Sequence, residues 1–257
     1  MILTSHDIVV FTDGSSRGNP GPGGFGTIVI VPKKYDGGRM KYEVQEIGGR
    51  EEKTTNNRME LRAAIEGLLF LSKLPSTKLP ITIHTDSSYL INGITKWVYG
   101  WQKNGWKTKE KKDVENRDLW EDLISAVRGK DIEWRQFGGH VGVAGNMRCD
   151  EIATAFADLS TSSRRASPML FSGTLSEYPI KNILDIQEDS FLADTKELNR
   201  AHSNAKAYSY VSSVDGVIQT HKTWAECEAR VKGKNAKYKK VLSASEEKNL
   251  IEGWIRA

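Results

Sequence analysis

Residues 8–26 read IVVFTDGSSRGNPGPGGFG, a run of β-forming residues that ends on an aspartate and continues into small and turn-forming residues. The apolar run predicts a buried strand that ends at Asp13. Clusters of Gly and Pro mark turns, so the residues after Asp13 are predicted to form a loop. A second stretch, HTDSSY, ends another predicted strand on Asp86. If the two strands are parallel neighbours, both carboxylates project from one edge of a sheet, where open α/β sheets bind ligands.

The rest of the first 160 residues alternates strand and helix signals. Strands are predicted at 26–31 and 42–47, then a helix at 57–74, a strand in PITIHT, helical Trp- and Lys-rich segments, a strand at 132–137 and a helix at 147–159. This order predicts an α/β fold with a mixed five-stranded sheet flanked by helices.

A composition change at STSSRRASP, residues 160–168, predicts the end of a first domain at residue 160. Residues 161–205 are interpreted as a linker or partly structured connector. Residues 206–257 are predicted to form a small α/β domain, with strands at 207–211, at 217–220 and in KYKKV. Two short helices are expected after Thr223 and Ser243, because each precedes a glutamate at the S/T-x-x-E spacing of a capping box.

Composition bounds the class of protein. The chain has 257 residues, of which 38% are apolar and 27% charged, and no apolar run approaches the roughly 18 residues of a membrane-spanning helix. The first residues lack a secretory signal and two cysteines make no disulfide framework, so a reducing cytoplasm is the expected location. Residues 206–257 carry ten Lys and Arg against six Asp and Glu, which makes the tail the basic part of a chain with net charge +4.

Two further carboxylates could join Asp13 and Asp86. Glu60 lies near the first turn of the first long helix and Asp150 is predicted in the first turn of the last one. Like charges at short range must share protons or hold cations, and hard oxygen ligands suit Mg²⁺ or Mn²⁺. A lone strand-end Asp is more often a turn former or helix cap, and glycines more often mark only turns. The glycine-rich stretch beside Asp13, which would let a polyanion approach backbone N–H groups, favours a metal site for phosphoryl chemistry.

Five motifs occur in the order seen in type 1 ribonuclease H: TDGSSRGNPGPGGFG, TTNNRMEL, TDSSYLINGITKW, GWKTKEKKDVENRDLW and GHVGVAGNMRCDEIA. Residues 8–158 therefore resemble that family. The resemblance implies a ribonuclease H fold and endonucleolytic hydrolysis of the RNA strand of an RNA–DNA hybrid, with 5′-phosphate and 3′-hydroxyl ends. It also implies two Mg²⁺ ions, with Mn²⁺ as a substitute, held by Asp13, Glu60, Asp86 and Asp150.

The resemblance places the mobile histidine of the family on His140, in GGHVGVAGN. An imidazole that titrates near neutrality can exchange a proton with water or product. Its flanking glycines argue against the alternative of a buried core histidine. One ion would activate a water, the other would stabilise the leaving 3′ oxygen, and Asp13 would bridge the two ions.

The hybrid contacts of the family fall on polar residues of the first motifs. Asn19, Asn56 and Asn57 would bond 2′-hydroxyls or minor-groove edges, with Thr55 near a DNA phosphate. Ser88 stands where better-known bacterial members have Gln, so one RNA contact is shortened or replaced.

The stretch WVYGWQKNGWKTKEKK corresponds to the basic protrusion of the family. Its lysines would follow the phosphates of the DNA strand while an aromatic ring, Trp97, packs on a sugar; the lysines are Lys103, Lys107, Lys109, Lys111 and Lys112. Taken alone, the lysines would be a solvated face. Core packing is the alternative for Trp97, Trp101 and Trp106, and is favoured for at least two of the three.

The tail motifs AYSYV, TWAECEARVKG and AKYKKV resemble the small hybrid-binding domain of many eukaryotic ribonucleases H and viroplasmin proteins, where it usually precedes the catalytic domain. The loop SSVDG lacks the basic residues common there. The resemblance implies that Trp224 stacks on the DNA strand, that Lys239 and Lys240 hold phosphates, and that Tyr238 lies between core and surface. A charged strand edge and a core tryptophan are the alternatives.

Two other functions share some of these features. A transposase or junction resolvase would have similar strand-end carboxylates, but TTNNRMEL and the protrusion argue against it. A binding protein with an inactive site is disfavoured because all four carboxylates and His140 are present. The expected partner is an RNA–DNA hybrid, with no membrane and no evident protein partner.

Overall fold

The computed structural model describes residues 7–34, 40–75, 79–137, 142–159, 167–186, 208–234 and 236–241, together with residues 247, 248, 250, 251 and 254. The chain divides into two compact units, Met1–Thr195 and Lys196–Ala257. Within the described residues, none of the helices is both long enough and apolar enough to cross a membrane.

The first unit is built on a mixed sheet of six strands in the order β5-β4-β1-β2-β3-β6. The strands are β1 (Ile8–Ser16), β2 (Gly21–Lys34), β3 (Met40–Thr54), β4 (Ile81–Thr85), β5 (Ile132–Gln136) and β6 (Ser172–Thr174). Strand β1 pairs parallel with β4 and antiparallel with β2, and β4 pairs parallel with β5. The predicted parallel pairing of β1 and β4 is confirmed. The prediction of five strands is short by one, because β6 forms after the last recognised motif and pairs with the outer edge of β3.

Helices cover both faces of this sheet. They are α1 (Asn56–Lys73), α2 (Ser88–Asn92), which a π-helical turn at Gly93–Trp97 joins to α3 (Val98–Lys103), then α4 (Arg117–Val127) and α5 (Ala144–Ala157). On the first face, α1 and α4 bury Leu68 and Leu123 against Val10. The second face buries Phe11 with Cys149 of α5. The predicted helix at 57–74 is confirmed within one residue, whereas α5 begins three residues before its predicted start.

The glycine-rich stretch after Asp13 is mostly strand, so the predicted loop is wrong. Strand β1 continues to Ser16, and β2 begins at Gly21, which leaves only four residues for the turn. A Cβ on Gly26 would lie 2.2 Å from the carbonyl oxygen of Cys149, and one on Gly24 would lie 2.3 Å from that of Ala153. These positions lack side chains because helix α5 rests directly on the backbone of β2.

Residues 167–186, within the predicted connector, complete the second face of the sheet. Tyr178 and Ile183 are buried in the same apolar cluster as Val44 of β3. The ring of Phe171 meets that of Tyr178 edge to face, with 4.9 Å between centroids. This segment therefore supplies part of the core of the first unit.

The second unit contains a three-stranded antiparallel sheet and one described helix longer than a turn. Its elements are β7 (Ser209–Val214), β8 (Val217–His221), α6 (Trp224–Val231) and β9 (Ala236–Val241), with strand order β8-β7-β9. Helix α6 begins with the predicted capping box of Thr223 and Glu226. It buries Cys227 and Val231 against Val214. The second predicted capping box, at Ser243, lies outside the described residues.

Candidate active site

Three carboxylates meet at the shared end of β1 and β4. Asp13 lies on β1, and Asp86 follows the last residue of β4, so the parallel pairing brings them to one edge of the sheet. Glu60 comes from the second turn of α1. A Cβ on Gly14 would lie 2.3 Å from the backbone nitrogen of Glu60, so the helix touches the strand backbone at this point. As a result, one carboxylate oxygen from each of Asp13, Glu60 and Asp86 lies within 4.8 Å of the others.

Burial makes it unfavourable for all the carboxyl groups of this cluster to be ionised. Asp13 is 7% exposed and Glu60 is 5% exposed. Burial, followed by the charge of Asp86, raises the pKa of Asp13 to about 8, although the Gly14 amide donates to its Oδ1 at 2.7 Å and opposes the shift. Burial, and then the charge of Asp13, also raises the pKa of Glu60 well above its ordinary value. A bound cation would offset this repulsion and favour the ionised carboxylates.

The oxygen atoms of the cluster fit a hard divalent cation. Glu60 Oε2 is buried and has no hydrogen-bond partner, whereas Glu60 Oε1 accepts a hydrogen bond from Asn56 Nδ2 at 3.4 Å. A buried carboxylate oxygen without a donor is costly unless a cation or proton satisfies it. An all-carboxylate set of ligands is the chemistry that Mg²⁺ and Mn²⁺ prefer.

Asp150 lies at the edge of this group. It is exposed on the second turn of α5, because the helix begins at Ala144, and the predicted first-turn position is therefore wrong. Its oxygens fall outside the 4.8 Å group, yet its charge contributes to the raised pKa values of Asp13 and Glu60. The structure thus brings three of the four predicted carboxylates together, with the fourth nearby. His140 lies outside the described residues.

Two amide side chains that the sequence analysis missed hold Asp86. Asn146 Nδ2 donates to Asp86 Oδ2 at 3.2 Å, and Gln136 Nε2 donates to the backbone carbonyl of Asp86 at 3.3 Å. Asn146 Oδ1 is buried without a hydrogen-bond partner. Asn146 stands four residues before Asp150 on α5. This spacing puts the two side chains on one helix face, so the sequence could have predicted Asn146 as a neighbour of the site.

The residues predicted to read the hybrid lie at the ends of secondary-structure elements or in a turn. Asn19 is exposed in the turn between β1 and β2, and Thr55 is the N-cap of α1, where its Oγ1 accepts from the Arg58 amide at 3.4 Å. Asn56 and Asn57 are exposed in the first turn of α1, and Ser88 is the exposed first residue of α2. All five stay accessible from solvent.

The basic protrusion presents its predicted lysines to solvent. Lys107 is paired with Asp113 at 2.5 Å; the other exposed lysines are Lys103, Lys109, Lys111 and Lys112. Trp106 is buried and Trp101 is half-buried in the first-face core, in agreement with core packing of two of the three tryptophans. Trp97 is 38% exposed and packs beside Trp101, with 5.7 Å between ring centroids.

An exposed aromatic surface marks the second unit. The ring centroids of Trp224 and Tyr238 are 5.4 Å apart, and those of Trp224 and Tyr210 are 5.7 Å apart. Trp224 is 40% exposed and Tyr238 is 54% exposed. Lys240 pairs with Tyr210 across the strands and shares this face, whereas Lys239 pairs with Val211 on the opposite face. The two lysines predicted to act together therefore point to different sides of the sheet.

A mixed sheet with carboxylates clustered at the shared end of β1 and β4 suits metal-dependent phosphoryl chemistry. The RNase H family matches residues 5–158, more than half of the chain, so the chain belongs to the RNase H family. Ribonuclease H of Erythrobacter litoralis is 46% identical over 154 residues, which are 60% of this chain and 98% of that protein. Ribonuclease H of Novosphingobium aromaticivorans is 47% identical over 147 residues, which are 57% of this chain and 94% of that protein.

A solved structure shows the same fold. LC9-RNase H1, a type 1 RNase H with the type 2 active-site motif, aligns with a TM-score of 0.54 and 27% identity over 76% of this chain and 92% of that protein. The chain is therefore a ribonuclease H, an enzyme that cleaves the RNA strand of RNA–DNA hybrids. The family match ends at residue 158, before the second unit begins.

Proposed function

We propose that this ribonuclease H hydrolyses the RNA strand by two-metal-ion catalysis with Mg²⁺, leaving 5′-phosphate and 3′-hydroxyl ends. The observation that carries the proposal is the group of three carboxylates within 4.8 Å, in which Glu60 Oε2 has no hydrogen-bond partner. Two divalent cations, when bound, supply the Lewis acidity that lowers the pKa of a water and stabilises a leaving oxygen.

Residues of this chain would bind the two cations and orient their ligands. Asp13 is the proposed shared ligand, and the Gly14 amide fixes the orientation of its carboxylate. Asp86 is held by Asn146 and faces the same group. Asp150 is the proposed fourth ligand, at the solvent side. His140 remains the proposed proton carrier between water and product.

Hybrid recognition is proposed for the exposed residues around the cluster. Asn19, Asn56 and Asn57 would bond the 2′-hydroxyl side of the RNA strand, with Thr55 and Ser88 beside them. The bond from Asn56 to Glu60 supports this assignment because it joins a reading residue to the acidic cluster. Lys103, Lys107 and Lys109 would follow the phosphates of the DNA strand, next to the exposed ring of Trp97.

The second unit is proposed to bind the same hybrid. Exposed aromatic rings can stack on bases of any sequence, and a lysine on the same face adds positive charge. This combination is typical of nucleic-acid binding without base readout. Trp224, Tyr238 and Lys240 form such a surface, with Lys239 on the other side of the sheet. A cytoplasmic location and action without a protein partner stay predictions.

Cleavage of labelled duplexes tests the proposal. RNA–DNA, RNA–RNA and DNA–DNA duplexes of one sequence are incubated with Mg²⁺ or with a chelator, and the product ends are mapped. We expect cleavage of the hybrid alone, only with the metal, and with 5′-phosphate on the downstream fragment. Efficient cutting of DNA duplex would instead favour a transposase-like enzyme, and metal-independent cutting would contradict the two-metal mechanism.

A further inference from the structure

A buried glutamate joins the segment 167–186 to the helix that carries Asp150. Glu46, on β3, is 1% exposed. Its carboxylate accepts hydrogen bonds from Arg148 Nε at 2.8 Å and Arg148 Nη2 at 3.0 Å, both on α5. It also accepts from the Phe171 amide at 2.9 Å and the Tyr178 hydroxyl at 2.8 Å, both on the segment. One carboxylate therefore takes two donors from each side.

We propose that residues 167–186 position the metal-binding half of α5, acting through Glu46 and Arg148. In this proposal Glu46, Arg148 and Tyr178 are positioning residues for Asn146 and Asp150. The inference rests on the proposed metal-dependent function and extends it to a part of the chain beyond the family match.

Apolar packing and an ion pair hold the first half of α5 on the sheet, because Cys149 is buried beside Phe11 and Arg148 is paired with Glu46. Gly26 of β2 contacts this half at Cys149, whereas Gly24 contacts the second half at Ala153, and neither glycine presents a side chain to the helix. Its N-cap, Val143, makes no side-chain hydrogen bond to the helix. The second half is secured separately, because Arg50 Nη1 donates to the carbonyls of Phe156 and Ala157 at 3.0 and 2.6 Å. A two-point bond between a guanidinium and a carboxylate fixes direction as well as distance.

Arg148 lies two residues from each of the side chains that it would position. Asn146 reaches Asp86 at 3.2 Å, a distance that leaves little room for lengthening before the hydrogen bond is lost. Asp150 lies outside the tight carboxylate group, so its distance to a shared cation depends on where α5 sits. Metal-binding and catalytic side chains must lie within about 0.5 Å of their productive positions. A small translation of the helix would exceed that distance.

Residues 167–186 help to stabilise the buried charge of Glu46. A buried charge is stable only when its oxygens are all satisfied, and Arg148 alone leaves lone pairs that the Phe171 amide and the Tyr178 hydroxyl fill. Tyr178 is itself fully buried, and the backbone nitrogen of Glu46 donates to the Phe171 carbonyl at 2.8 Å. Backbone pairing and burial therefore fix the donors of the segment relative to Glu46.

The test compares full-length Tyr178→Phe and Glu46→Gln with a matched control, Glu43→Gln. Glu43 lies on the same strand, is ion-paired with Lys33, and pairs with Thr174 of β6. Mg²⁺ affinity is measured by isothermal titration calorimetry without substrate, and kcat and KM for hybrid are measured at limiting and saturating Mg²⁺. We expect Mg²⁺ binding to weaken about 10-fold in Glu46→Gln, at the lower end of the range of outer-shell substitutions, and less, about threefold, in Tyr178→Phe, with KM for hybrid unchanged. Glu43→Gln should match the wild type.

Equal Mg²⁺ affinities in folded Tyr178→Phe, Glu46→Gln and wild type would overturn the inference and leave the segment a purely structural role. If Glu46→Gln does not fold, as judged by circular dichroism, Tyr178→Phe decides, because it removes one hydroxyl and keeps the buried ring. A wild type that neither binds Mg²⁺ nor cleaves hybrid would instead refute the proposed function. The two failures are therefore distinguishable.

Discussion

At the scale of single residues, the acidic centre depends on a missing side chain as much as on the carboxylates. Gly14 lets the backbone of α1 approach β1, and Glu60 is then carried to Asp13. Repulsion in this pair is strong because both side chains are nearly buried. The raised pKa values of both groups favour their protonated forms, and a bound cation would offset the same repulsion.

Asp13→Asn removes the central charge with almost no change in size. We expect cleavage to fall by more than the 10- to 100-fold typical of a lost outer-shell partner, while hybrid affinity stays near that of the wild type. Asp122→Asn, an exposed residue on α4, is the matched control and should retain full activity. Cleavage by Asp13→Asn near the wild-type rate would contradict its assignment as a metal ligand.

The raised pKa of Asp13 predicts a pH-dependent stability of the metal-free protein. The folded state holds a proton up to about pH 8, whereas the unfolded chain releases it near pH 4. The folded state therefore binds more protons between these values, and the contribution of Asp13 to stability falls as pH rises from about 4 to about 8. Mg²⁺ should raise the melting temperature more at pH 8 than at pH 5, because it displaces fewer protons at the higher pH.

Calorimetric melting from pH 4 to pH 9, with and without Mg²⁺, checks this expectation. Asp13→Asn should reduce the fall in melting temperature with pH, although Glu60 still contributes. The expectation is wrong if wild type and Asp13→Asn show the same dependence on pH in the absence of metal.

At the scale of secondary-structure elements, the contact of α5 with β2 determines where half of the site lies. The helix rests on glycine backbone, so its height above the sheet is set by van der Waals contact and its direction by Arg148 and Arg50. The positions of Asn146 and Asp150 depend on this contact together with the Arg148–Glu46 pair. The glycine-rich motif is therefore a packing surface for a helix.

Gly26→Ala should disturb this contact, because the added methyl group would lie 2.2 Å from the Cys149 carbonyl. Overpacking of this kind costs about 1–3 kcal/mol, and the shift of α5 should also weaken Mg²⁺ binding. Urea unfolding and calorimetry measure the two effects. Gly100→Ala is the stability control, because nothing lies within 4 Å of an added Cβ on that helical glycine. A Gly26→Ala protein as stable as the wild type would show that α5 can move without cost.

At the scale of the whole molecule, the proposed function assigns a nucleic-acid surface to each of the two units. If both engage one duplex, binding of either raises the effective concentration of the other. The aromatic surface of the second unit is compatible with this, since Trp224, Tyr238 and Tyr210 are grouped on one face. The strand register places Lys240 on that face of the sheet and Lys239 on the opposite face.

Full-length Trp224→Ala should weaken hybrid affinity by about 1–3 kcal/mol with little change in salt dependence, because a stacking contact is lost. Lys240→Ala should flatten the slope of log affinity against log salt by about one unit, and Lys239→Ala should flatten it less. Tyr208→Ala, an exposed aromatic residue outside the grouped rings, is the control. Filter binding over a salt series measures all four, and single-turnover cleavage with saturating enzyme should stay constant. Equal affinities throughout would assign the second unit to another partner.

The sequence by itself determined the parts of this protein that local pattern and motif order encode. Periodicity predicted α1 within one residue, the two strands that end on Asp13 and Asp86 predicted the shared sheet edge, and the S/T-x-x-E spacing predicted the start of α6. These signals are readable because the residues that decide them are neighbours along the chain. The motif order also identified the family that matches residues 5–158.

Only the tertiary structure decided the features that depend on contacts between distant segments. The glycines after Asp13 form a strand because α5, more than a hundred residues later, lies against them. Strand β6 belongs to the first unit because it pairs with the edge of β3. Tyr178 belongs to it because its hydroxyl donates to the buried carboxylate of Glu46. The hydrogen bond of Asn146 to Asp86 and the division of Lys239 from Lys240 follow from helix placement and strand register. Burial and pairing across the chain settle such features, and no local pattern of residues records them.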